Sequence, residues 1–189
     1  PATQPTTQPA QSAAHTHTPD TTKVAHWGVD PVHSSIVFNI KHMGVGVVWG
    51  RFNELSGDIY FDPDDLKNSK IEISVPTSSI DTANSARDEH VRSADYLTVE
   101  EYPTASFESK TISKAGENTY EVMGHMTFMG ETKPLTFNFE WNGTAERRGK
   151  TLTGASASFT LDRSDFGMTG GGSLSSEVDI HVGIEAAKQ

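Results

Sequence analysis

Period-two alternation of apolar and polar side chains is the feature that most limits how this chain folds. "SIVFNIKH" (35–42) sets Ile36, Phe38, Ile40 and His42 on one side and Val37, Asn39 and Lys41 on the other. "LSGDIYF" (55–61) groups Leu55, Gly57, Ile59 and Phe61, and "KIEISVP" groups Ile71, Ile73 and Val75. "TYEVMGHMTF" groups Tyr120, Val122, Gly124, Met126 and Phe128. "LTFNFEW" groups Leu135, Phe137, Phe139 and Trp141, and "EVDIHVGIE" groups Val178, Ile180, Val182 and Ile184. Successive strand side chains point to opposite faces, so each run is a strand with one dry face, as in antiparallel sheets. With "TASFESKTI" and "TLTGASASFTL" the total is about eight strands, the number that closes a small barrel. "MGETKP" (129–134) and "WNGTAERRGK" (141–150) are rich in turn residues and are expected to form the hairpin connections. No strand–helix–strand rhythm and no fixed repeat interrupts this pattern.

Composition narrows the function classes. A formal net charge of −10 leaves no basic face for nucleic acid and none for broad adhesion to anionic lipid. No apolar run approaches the length of a membrane-spanning helix. The chain has no cysteine, which removes disulfides, thiolate catalysis and cysteine-bound zinc together. Residues 1–24 are rich in Pro, Thr, Gln and Ala and nearly free of charge, so they cannot bury enough apolar surface to order themselves. They are expected to be a linker ahead of a domain at 25–189. A chain that starts at Pro1 without Met points to removal of a preceding segment, and such a spacer suits an exported, periplasmic protein.

The densest ionisable stretch, "SARDEHVRSADYLTVEEYP" (85–103), is expected to hold one short helix capped by Ser85 with Asp88. Val91, Ala94 and Leu97 would share its inner face, and Asp88, Glu89 and Arg92 would face water. Arg87 is expected to tie the helix to the barrel rim through a carboxylate. Other clusters carry less chemistry. The eight histidines show no metal-binding spacing, and only His15 and His17 in the tail are close in sequence. Asp30, His33 and Ser34 crowd one strand start, where a nucleophilic triad has no room to assemble. "DPDDLKNS" (62–69) lacks the offsets of a calcium loop and reads as a connection. "DFG" (165–167) stands without the other kinase motifs, and Arg163 before it is expected to pair with Asp165 below the glycine run 170–172.

The inner face itself is the main candidate site. Its members are Ile36, Phe38, Ile40 and His42, then Ile59 and Phe61, then Met126, Phe128, Phe137 and Phe139. They either fill a core or line a cavity, and small residues among them, such as Gly57 and Gly124, would leave space.

Four ordered motifs resemble the YceI-like family. "DPVHSSIVFNIKHMGVGVVWGRF" is similar to its opening pattern, through Asp30, His33, Ser34, Phe38, His42, Gly50 and Phe52. "RDEH" with "YPTASF" supplies Arg87, Asp88, His90, Tyr102, Pro103 and Phe107. "GHMTFMGETKP" and "RSDFG", which includes Phe166, complete the series over about residues 26–186. The resemblance implies an all-β, eight-stranded antiparallel lipocalin-like barrel with one short helix over a barrel end. It also implies an interior that takes a polyisoprenoid or similar amphiphile, with Phe52, Phe107 and Phe166 joining the ligand contacts. The favoured expectation is a non-catalytic carrier of an isoprenoid quinone, polyprenyl lipid or fatty amphiphile, with no cofactor or metal and with a homodimer left open. The alternative is an enzyme or redox partner acting at the barrel mouth through His42, His90 and Arg163.

Overall fold

The structure, a computed structural model, describes residues 17–189. Residues 1–16 of the expected linker, with His15, lie outside the described residues. The rest of that stretch touches the barrel: the Asp20 N–H donates to the Asn68 side chain at 3.1 Å, and Val24 is buried.

Eleven antiparallel strands follow. They are β1 (His26–Val29), β2 (Ser35–His42), β3 (Gly46–Phe52), β4 (Ser56–Tyr60), β5 (Lys70–Pro76) and β6 (Ile80–Asp81). After helix α1 (Ser85–Arg92) come β7 (Thr104–Lys114), β8 (Thr119–Phe128), β9 (Glu131–Arg147), β10 (Lys150–Asp162) and β11 (Leu174–Lys188). The sheet order is β1-β4-β5-β7-β8-β9-β10-β11-β2-β3-β6, and β1 also pairs with β11 to close the ring. Segments β1 and β2 share one barrel position beside β11, β3 and β4 share the next, and β5 and β6 the next, so the ring is the expected eight-stranded barrel. Closure removes most exposed edges, which lets a chain of modest hydrophobicity hold one sheet around an interior.

The break between β1 and β2 is built from the Asp30–Ser34 motif. The Asp30 carboxylate accepts the Val32 N–H at 2.8 Å and the His33 Nδ1 at 2.9 Å, bending the chain. Ser34 then pins the bend to β11: its hydroxyl donates to the Glu185 carbonyl and accepts the Glu185 N–H, each at 3.0 Å. With that oxygen held on both sides by main chain, Ser34 is a staple rather than a nucleophile.

Two expected hairpin connections are shorter than the turn residues suggested. Strand β9 runs through both, from Glu131 to Arg147, so the turns are Met129–Gly130 and Arg148–Gly149, all four at positive φ. Asn142-Gly143 is a bulge inside the β9–β10 ladder, where the register shifts between Thr153 and Ala155 and Gly143 has φ +87°. A bulge and a turn ask for the same residue types, so their sequence signals coincide.

The helix also differs from expectation. Its N-cap is Asn84, whose side chain accepts the Arg87 N–H at 3.0 Å, one residue before Ser85. The helix ends at Arg92, so Ala94 and Leu97 lie beyond it, and Leu97 is buried in the following turn. Asp88 is buried rather than wet, because it accepts the Thr82 N–H at 2.8 Å and the Thr82 hydroxyl. Arg92 binds the carbonyls of Ser78 and Ile80 instead of facing water.

Candidate functional site

The barrel interior is divided along its axis. At one end a packed aromatic floor is formed by Trp27, Phe61, Tyr120 and Phe139 with Val122 and Ala186. Its rings meet closely: Phe61 lies 5.1 Å from Tyr120 and 5.7 Å from Phe139, both edge-on. Edge-to-face contacts at such distances add to area burial, so this end is closed by packing.

Above the floor opens a cavity of 490 Å³. All thirteen candidates border it: Ile36, Phe38, Ile40 and His42; Phe52, Ile59 and Phe61; Phe107, Met126 and Phe128; Phe137, Phe139 and Phe166. Phe61 and Phe139 serve both parts, as floor members whose upper surfaces face the space. A volume of this size falls within the range of small-molecule sites, and the lining is almost wholly hydrocarbon.

The source of the space differs from expectation. A side chain added at Gly124 would strike the Phe107 ring and the Glu108 carbonyl, and one at Gly57 would strike the Glu72 carbonyl. Neither glycine leaves a hole; each admits a neighbour. Gly50 likewise lies under the Phe38 ring, the way an aromatic commonly covers a strand glycine. The room comes from Ala155 and Ala157 on β10 and Ala105 on β7, all bordering the cavity.

Strand β10 was the part the alternation pattern under-reported. Thr153, Ala155, Ala157, Phe159 and Leu161 face inward, yet three of the five are small or polar, so the apolar signal is weak. Phe159 stacks on Phe137 at 4.5 Å and is a full member of the wall. Tyr96 and Leu97, on the turn after α1, also reach the cavity, and local sequence cannot announce a contact made by an irregular segment.

Polar groups gather at the other end. His42, Arg87, His90 and Arg163 border the cavity beside Tyr96, Phe166 and Met168. Both arginines are committed to the fold. Arg87 donates from Nε to the Thr82 hydroxyl at 2.7 Å and from Nη2 to the Thr82 carbonyl at 2.6 Å, so its partner is Thr82 and not a carboxylate. Arg163 is buried and pairs with carbonyls rather than with Asp165: Ser175 at 2.9 Å, and Met168 and Gly170 at 2.7 Å each. It therefore ties the glycine run to β11. Asp162, just before it, accepts the Ser164 hydroxyl at 2.6 Å and the Ser164 N–H at 2.9 Å, and these bonds hold its carboxyl below the ordinary value. His42 and His90 are the mouth groups left to meet a ligand head, with His90 3.1 Å from Asp95.

The remaining described histidines lie away from the cavity. His26 stacks on Tyr60, and His181 lies between Asn39 and Ser158. His33, on the outer surface, brings its ring nitrogen with Asp30 and Glu185 into a group whose donor atoms lie within 4.8 Å. Its hydrogen bond with Asp30 raises the His33 pKa and lowers that of Asp30.

A closed antiparallel barrel with a packed floor, an apolar interior and a polar mouth makes a lipocalin-like container with one open end. The chain belongs to the YceI-like family, whose domain pattern matches residues 27–186. A UPF0312 protein of Pseudomonas putida is 35% identical over 158 residues, covering 83% of this chain and 82% of that one. A UPF0312 protein of Vibrio cholerae is 34% identical over the same length and covers 83% of each chain. Among solved structures, Burkholderia cenocepacia BcnA superposes with a TM-score of 0.75 at 24% identity, over 84% of this chain and 99% of that one. A polyisoprenoid binding domain from Saccharophagus degradans, implicated in plant cell wall breakdown, superposes at 0.70 with 14% identity, over 88% and 99%. These two likenesses are ones of fold.

Proposed function

We propose that this protein holds a long amphiphilic lipid, an isoprenoid quinone or polyprenyl chain, in the barrel interior and carries it without turning it over. The carrying observation is the cavity itself: 490 Å³ of apolar space above a sealed aromatic floor, with ionisable groups confined to the mouth. A flexible hydrocarbon tail fits such a wall because it asks for no directed contacts. Each 100 Å² of tail removed from water contributes about 2.5 kcal/mol gross, part of it offset by ordering the chain. One hydrogen bond at the mouth contributes about 1–3 kcal/mol, so His42 and His90 would select the head group while the wall sets affinity. The similarity of fold to a domain described as polyisoprenoid binding supports the lipid class. A carrier is favoured over an enzyme because the cavity wall is almost wholly hydrocarbon and both mouth arginines are spent on Thr82 and on main-chain carbonyls, so that an enzymatic reading has to rest on His42 and His90. The uncharged Pro/Thr/Gln/Ala-rich opening of the chain supports an exported, periplasmic setting.

The test is mass spectrometry of an organic extract of protein purified from a bacterial host. The expected result is one isoprenoid species at close to one per chain. Purified protein that is folded and empty, or that steadily consumes a quinone analogue in a His42-dependent way, would sink the reading.

A further inference from the structure

The hairpin joining β2 to β3 carries an apolar tip. His42 accepts the Val45 N–H at 3.2 Å across Met43 and Gly44, whose φ values are +53° and +71°. A turn of this hand prefers Asn or Asp before Gly, because a longer side chain at positive φ is strained, and the turns at Met129 and Arg148 depart from that preference as well. Here a Met takes that place and stands 69% exposed, and Val45 beside it is 92% exposed. The outer face of β3 continues the pattern, with Val47 at 53% and Trp49 at 56%. Four of the six large hydrophobic residues most exposed among the described residues therefore lie on one hairpin.

Charge follows the same line. Residues 31–53 contain no Asp or Glu in a chain whose formal net charge is −10, and they carry Lys41 and Arg51. Lys41 is paired in register with Val47, next to the tip, and Arg51 lies deeper, opposite Asp81. The neighbouring strand adds Asp179 opposite Asn39, in the same row as Trp49, and Glu177 in the register shift across from Lys41. The tip itself, Met43 to Val45, is thus apolar with Lys41 just behind it, and the acidic groups stand on β11 at Glu177 and Asp179 and in the turn at 93–102 at Asp95, Glu100 and Glu101.

Position gives the pattern a purpose. His42 at the base of the tip borders the cavity, and the Met43 N–H donates to the Ser173 carbonyl of the loop that forms the mouth. We infer that this hairpin docks the barrel mouth on the surface of a phospholipid bilayer, with Met43 and Val45 entering the interface, Lys41 meeting lipid phosphate and Trp49, stacked on His181, lying at its edge. The inference rests on the lipid-carrier reading and adds where cargo is exchanged. A tail moving between bilayer and cavity at a docked mouth never crosses water, which is the costly part of moving it. Amphipathic Trp and phosphate-facing Lys are the residue types that suit that interface.

A second copy of the chain is the competing occupant, because β3 offers an edge: β6 reaches only Arg51 and Phe52, so Gly46–Gly50 pair with β2 alone. Strand-to-strand pairing there would satisfy backbone groups but leave the side chains of Met43, Val47 and Trp49 on the outer face in water. The bilayer covers them.

The test uses the full chain and vesicles of phosphatidylcholine, read by flotation and tryptophan emission. Trp27 is buried and Trp141 borders the cavity, so Trp49 reports the outer surface. Wild type is expected to float with vesicles and shift its emission to the blue. The double variant Met43→Asn, Val45→Thr suits the turn better and should keep the melting temperature and the extracted lipid per chain. Its vesicle partitioning should fall about tenfold or more. Wild type that fails to float, or a variant that floats equally well, overturns the inference. So does a variant whose loss is of self-association measured by light scattering, which would assign the face to a second copy. Lipid-free wild type would count against the carrier reading instead, whatever the flotation shows.

Discussion

Gly124 shows how a single position is decided by what lies across the sheet. It is buried in the inward phase of β8, between Val122 and Met126, and a Cβ there would meet the Glu108 backbone carbonyl and the Phe107 ring. A ring can turn aside; a carbonyl in a ladder cannot. Gly124→Ala is therefore expected to destabilise the barrel by about 1–3 kcal/mol, as overpacking does, measured by urea denaturation. Wild-type stability in that variant would mean that β7 and β8 separate more easily than their register implies. At Gly50 the neighbour is the Phe38 ring, with no backbone atom among the nearest contacts, so Ala there should cost less.

At the scale of elements, the short turn Arg163–Phe166 holds the mouth. It places Arg163 under the carbonyls of Met168 and Gly170, and sets Phe166 5.6 Å from Phe128 across the rim. Asp162 caps this turn, and the ionised form is the one favoured by the Ser164 hydroxyl and N–H, so its folded pKa lies below its ordinary value of 3.8. A depressed carboxyl contributes stability in full above its unfolded pKa, and that contribution is lost as pH falls through the folded value. The melting-temperature gap between wild type and Asp162→Asn should then be constant near neutrality and narrow below about pH 4. A gap that widens on acidification would mean that the carboxylate is not favoured in the folded state. The group is solvated, so the effect should be small.

At the scale of the whole molecule, the barrel separates stability from capacity. The aromatic floor and the ladder hold the fold, while the alanines of β10 leave the space. Ala157→Trp fills that space from a position whose neighbours in register are Phe139 and Val182. The expected outcome is a protein with native circular dichroism and several-fold less extractable lipid per chain, since a Trp side chain occupies a large share of a 490 Å³ cavity. Full lipid content in a folded Ala157→Trp protein would place the ligand outside this interior.

Sequence alone placed a strand at each of the eight barrel positions and the inward face of six of them, because a dry interior against a wet exterior forces a period of two on a strand, while β1, β3 and β6 went unread. It also placed one short helix within 85–103, with the cap one residue late and an inner face carried on through Ala94 and Leu97, beyond the end at Arg92. Tertiary structure decided what the period cannot encode. The strand breaks at 30–34, 53–55 and 77–79 turn eleven segments into eight barrel positions, and pairing across the chain makes them so. Arg87, Asp88 and Arg163 took partners that are main-chain groups or a threonine, which charge patterns in sequence do not reveal. Whether an apolar face becomes a filled core or an open cavity depends on the sum of side-chain volumes around a closed ring. That sum includes the alanines of β10, whose weak signal hides them, and excludes Gly57 and Gly124, whose apparent vacancy is filled from the next strand.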